Sequence, residues 1–87
     1  MKIKKAQLDT LISMHRGYWN LRNVDGKLMM AKAQAKLLYT RKTFGYDLGI
    51  SLDTVIGEIL RYCGLKPSAT NEDIYKVLEV LGYEVTE

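Results

Sequence analysis

Residues 51–63, Ser51-Leu52-Asp53-Thr54-Val55-Ile56-Gly57-Glu58-Ile59-Leu60-Arg61-Tyr62-Cys63, decide the fold. Leu52, Val55, Ile56, Ile59, Leu60 and Cys63 recur at spacings of three and four. A helix gathers them into one stripe, whereas a strand would scatter them over both faces. Ser51 reads as the N-cap of this helix, with Asp53 near the positive end of its dipole and Gly64 as its stop.

The same reading extends outward in both directions. After a loop at Leu65 to Ala69, Thr70 and Asp73 have the spacing of a capping box for a further helix, with Ile74, Val77, Leu78 and Leu81 turned inward. Gly82 closes that helix, and Tyr83 to Glu87 form a tail expected to be extended or frayed, with a short strand as the alternative. On the N-terminal side, Lys27 to Thr43 is rich in strong helix formers. Leu28, Ala31, Ala35 and Leu38 make one stripe and Met30, Ala33 and Leu37 a second, so this helix is expected at the centre of the fold. Lys32, Lys36, Tyr39 and Thr43 share a face that either is solvated or meets phosphate. From Lys4 to Leu21, Leu8, Leu11, Ile12, His15, Tyr18 and Trp19 recur at helical spacing. Asn23 to Gly26 read as a turn between helices, with a hairpin over residues 18–30 as the alternative.

The expected architecture is all-α: one domain over residues 1–87, a compact bundle of about four helices with a short C-terminal tail. The chain has 87 residues, 47% hydrophobic and 26% charged, which is the composition of a folded globular protein. No apolar run approaches the roughly 18 residues of a membrane span. Cys63 has no second cysteine to pair with, and a cytoplasmic location is expected. So short a chain buries a modest share of its surface, which makes a homodimer a reasonable assembly.

Charge is divided along the chain. Residues 1–47 hold ten Lys or Arg against Asp9, Asp25 and Asp47, a net of +7, while residues 48–87 hold three against seven acids, a net of −4. That division suits attraction between the halves, an anionic partner, or head-to-tail assembly.

Within residues 41–62, Gly45, Gly49 and Val55 stand at the positions where a helix-turn-helix has its crossing residue, its turn glycine and its docking apolar residue. Leu48 and Ile50 flank Gly49, and Ser51 and Thr54 follow. The segment therefore resembles a helix-turn-helix, which implies DNA binding with Ser51, Thr54 and Arg61 on the second helix. That helix also carries Asp53, Gly57 and Glu58, which suit base edges and phosphates poorly. Most phosphate contact is accordingly expected from Lys2, Lys4, Lys5, Arg16, Arg22, Lys32, Lys36, Arg41 and Lys42. Trp19, Tyr18, Tyr39 and Tyr46 lie among these cations and are read as core first and as base-stacking groups second.

Catalysis lacks its parts. One His and one Cys make no zinc cluster, and no phosphate-binding glycine loop or paired-acid motif is present. His15 reads as a core histidine, and no metal or cofactor is expected. Two functions remain: a small nucleic-acid-binding module, or a protein-binding adaptor or inhibitor acting through an apolar, Tyr- and Met-rich helical surface.

Overall fold

The computed structural model describes residues 2–21, 26–64 and 70–87, with side chains for 2–17, 26–62 and 70–87. The elements run in the order β1 (Lys2–Lys4), α1 (Lys5–Leu21), α2 (Gly26–Phe44), α3 (Tyr46–Ile59), a π-helical turn (Leu60–Gly64), α4 (Asn71–Val80) and β2 (Glu84–Thr86). The all-α bundle is as expected, and it is closed by a small sheet that joins the two ends of the chain.

The sheet is two-stranded and parallel, with Lys2 opposite Glu84, Ile3 opposite Val85 and Lys4 opposite Thr86. Lys4 thus belongs to a strand, and α1 starts one residue later than expected. Ile3 alternates inward between two exposed lysines and is buried at 1% exposure. An ion pair of 2.7 Å from Lys5 to Glu87 continues the junction beyond the strands.

The core is built from Leu8, Leu11 and Ile12 of α1, Leu52, Ile56 and Ile59 of α3, Leu60, Ile3, and Ile74, Tyr75 and Leu78 of α4. Each fully buried Leu or Ile contributes about 1.5–3 kcal/mol relative to exposure. The expected inward face of α4 is displaced. Tyr75 is buried and its hydroxyl donates to Asp9 Oδ1, which also accepts from Asn71 Nδ2, whereas Val77 and Leu81 are exposed. Asp9 therefore draws α4 onto α1 by a polar contact that apolar periodicity does not register.

Both ends of α4 form as expected. Thr70 Oγ1 accepts from the Asp73 amide, and the Asp73 carboxylate accepts from the Thr70 amide. At the other end Gly82, at φ +102°, allows its own amide to reach the Glu79 carbonyl and the Tyr83 amide to reach the Leu78 carbonyl, a Schellman motif.

The helix pair in residues 41–62 departs from the helix-turn-helix frame. The break is at Gly45, whose φ of 84° and ψ of 169° no side-chain-bearing residue adopts readily, and α3 then runs unbroken from Tyr46. Gly49 lies inside α3 at the helix contact: a Cβ there would meet the Thr40 carbonyl oxygen at 2.9 Å. The two glycines thus exchange the roles assigned to them. Ser51 is a mid-helix residue whose hydroxyl bonds the Tyr83 hydroxyl at 2.7 Å, and it caps nothing.

The largest correction concerns α2. It packs on α1 and α3, yet it is not a central apolar helix, and its buried residues are Lys36 and Thr40. The stripe Leu28, Ala31, Ala35 and Leu38 faces solvent. Residues 18–21 and 26–30 are helical, so the hairpin alternative does not hold for them. The side chains of Tyr18, Trp19 and Cys63, and all of Arg22, lie outside the described residues.

Candidate binding surface

Three helices converge on one buried ionic cluster. From α2, the Lys36 ammonium donates to Asp53 Oδ1 on α3 at 2.6 Å. His15 of α1 brings Nε2 to 2.9 Å from the same oxygen. Nε2 makes no directed hydrogen bond and is a buried nitrogen packed beside the carboxylate. Burial alone would raise the Asp53 pKa. The contacts and charges of His15 and Lys36 outweigh it and hold the carboxyl below its ordinary range.

Lys36 can turn inward because Asp53 neutralises it there. One turn further along α2, the Thr40 hydroxyl donates to the Lys36 carbonyl at 2.6 Å, which satisfies the other buried polar side chain of this face. Asp53 is accordingly half-buried and engaged, not a repulsive acid displayed on a recognition helix. A cavity of about 240 Å³ beside the cluster is lined by His15, Lys36, Asp53, Thr54, Gly57, Glu58 and Arg61. Its charges balance in sign, with Lys36 and Arg61 facing Asp53 and Glu58.

The residues expected to contact nucleic acid fall into separate groups. Lys36, Thr54 and Arg61 meet at this cavity. Lys36 is only 7% exposed and its ammonium is committed to Asp53, so it is not an outward phosphate contact. Arg61 is exposed, with its guanidinium 5.9 Å from the Tyr62 ring centroid. Lys2 and Lys4 are exposed on β1 at the sheet, where Lys5 pairs with Glu87 and lies over the Tyr75 ring. Arg16 is half-buried on α1. Lys32, Arg41 and Lys42 are exposed on α2, and Arg41 stacks on Tyr46 at 5.4 Å.

The outer side of α2 forms a second feature. Leu28 is 44% exposed and Leu38 62%, with the exposed Ala31 and Ala35 between them and Met30 at 58% beside them. Lys32 and Ala35 also line a groove of about 220 Å³ with Ser13, Met14 and Gly17 of α1. No acidic residue occurs anywhere in α2, which carries Lys27, Lys32, Lys36, Arg41 and Lys42. The sequence did contain this stripe, but as a stripe for the core. Nothing in apolar spacing tells which side of a helix faces inward when a buried lysine is neutralised by an acid 17 positions away.

Among the described residues no group of three or more His, Cys, Asp or Glu is placed to hold a metal ion, and no helix is long and apolar enough to cross a membrane. Fold and surface together define a small helical protein, closed by a parallel strand pair, with an apolar and cationic outer helix. Comparison with protein-family models, with curated proteins and with solved structures finds no match.

Proposed function

We propose that this chain is a non-catalytic protein-binding module of the cytoplasm whose contact surface is the outer side of α2. The observation that carries the reading is the exposure of Leu38, at 62%, on an apolar stripe that the fold could have buried. Contiguous exposed apolar surface costs hydration and marks contact sites. Ala31 and Ala35 at the middle of the stripe let another backbone approach closely, and the groove beside Ala35 has room for an inserted side chain. The surrounding cations select a partner segment rich in Asp and Glu.

The test is fluorescence anisotropy with a labelled amphipathic helical peptide, apolar on one side and glutamate-rich on the other. Saturable binding that Leu38→Glu weakens at least tenfold supports the reading, and equal binding by the variant overturns it.

A second reading, nucleic-acid binding, is favoured by the absence of any acid on α2. In it Lys32, Arg41 and Lys42 contact phosphate, with Lys4, Lys5, Arg16 and Arg61 as further cations. It leaves Leu28 and Leu38 without a role, and the segment containing Ser51 and Thr54 lacks the turn that a helix-turn-helix needs. Labelled duplex and single-stranded oligonucleotides, titrated at two salt concentrations, separate the readings. Phosphate contact weakens steeply with salt and tolerates Leu38→Ser, whereas the apolar contact is lost in that variant.

A further inference from the structure

The fold leaves two outward faces that are apolar and opposite in charge, and it does not bring them together. One is the stripe on α2. The other is on α4, where Val77 is 39% exposed, Val80 87% and Leu81 57%. Glu72, Glu79 and Glu84 are exposed there against Lys76, while Asp73 is held in the α4 cap and Glu87 pairs with Lys5. The two halves of the sequence already meet through Lys36–Asp53 and Lys5–Glu87, but the exposures of Leu38 and Val80 show that neither of these two faces covers the other within one molecule.

We infer that an occupant of the α2 surface is the α4 surface of a second copy of this chain. The inference rests on the reading of α2 as a protein-contact face and names its partner. A contact of α2 with another α2 would set Lys32, Arg41 and Lys42 against their own kind with no acid on either helix to relieve them. A contact of α2 with α4 instead places Val77 and Val80 on the Leu28–Leu38 stripe and Glu79 and Glu84 among those cations. Because the two faces differ, the contact is head-to-tail, and it propagates unless a rotation closes it. Both faces are small, so association belongs at high protein concentration and weakens as salt screens the charges.

Sedimentation velocity from micromolar to near-millimolar protein, at low and high salt, tests the inference. The expected result is a mean mass that rises with concentration and falls with salt. Leu38→Glu and Val80→Lys, both at exposed positions, should each keep the helical circular dichroism of the parent and each lose association by at least tenfold. An equimolar mixture of the two variants should regain it, because one copy supplies an intact α2 and the other an intact α4. A protein that is monomeric throughout, or whose association survives Val80→Lys, overturns the inference. The acidic-peptide titration judges the α2 reading separately: a monomer that binds the peptide removes the second copy and leaves that reading standing.

Discussion

Lys36 and Asp53 form a 2.6 Å ion pair between α2 and α3, on a helix whose other cations all face solvent. The pair lies on the side of α2 that Tyr39 and Phe44 also pack against the core, and the opposite side is displayed. With His15 against the same oxygen, the pair ties α1, α2 and α3 at a single atom.

Removing one member of the pair should cost more than removing both. Asp53→Asn leaves a buried ammonium without its counter-charge and is expected to destabilise the protein by about 3 kcal/mol. Lys36→Met restores apolar packing and costs less. In urea unfolding the double variant should show a coupling of about 1–3 kcal/mol, and additive losses would count against the pair as a tie between α2 and α3. Lys36→Glu should unfold the chain by setting two carboxylates together.

Stability should depend on pH through Asp53. Its pKa is lower in the folded protein than the 3.8 of an ordinary Asp, so between those values the unfolded state binds the proton more readily. The contribution is complete above about pH 5 and fades as pH falls through the folded pKa. Asp73 is held low by the Thr70 amide and hydroxyl and adds a contribution of the same sign. Denaturation at a series of acidic pH values should therefore show a shallower slope for Asp53→Asn than for the parent, and identical slopes would contradict the assignment.

Two glycines of α3 should respond to alanine in opposite directions. At Gly49 a Cβ meets the Thr40 carbonyl oxygen at 2.9 Å, which forces α2 and α3 apart at a cost of about 1–3 kcal/mol. At Gly57 the closest atom, His15 Cε1, lies at an ordinary 3.6 Å, so the gain in helix propensity of about 0.5–1 kcal/mol should appear undiminished. Thermal melting of the two single variants decides it. Equal shifts of the same sign would mean that α2 and α3 do not meet at Gly49.

The N-terminus of α4 should be sensitive to its cap. Thr70→Ala removes the hydroxyl that accepts from the Asp73 amide and is expected to cost about 1 kcal/mol, while Thr70→Ser should cost little. Chemical denaturation of both variants checks this, and equal losses would assign the effect to the Thr70 methyl group.

Local signals were legible in the sequence where they act within one element. Leu52, Ile56, Ile59 and Leu60 announced the buried side of α3, and Thr70, Asp73 and Gly82 announced both ends of α4. What was hidden depends on partners distant in the chain. The strand at Glu84–Thr86 was legible only as an alternative to a frayed tail, and that at Lys2–Lys4 was not legible, because each is three residues long and exists through pairing with the other. Gly45 and Gly49 both suit a turn, and the choice between them was made by the approach to Thr40. On α2, Leu28, Ala31, Ala35 and Leu38 form a better apolar stripe than the side that is buried. Asp53, on another helix, neutralises Lys36 on that side, where Tyr39 and Phe44 also pack against the core. The candidate surface was thus present in the sequence with its direction reversed.

The outer side of α2 is tested most directly by two-dimensional ¹H–¹⁵N NMR of the labelled protein titrated with the glutamate-rich amphipathic peptide. The account predicts saturable shifts centred on the amides of Leu28, Ala31, Ala35 and Leu38 and on Met14 and Gly17 across the groove, with β1 and the His15–Asp53 cluster undisturbed. Shifts confined to Lys2, Lys4 and Arg61, or no shifts at all, would contradict it.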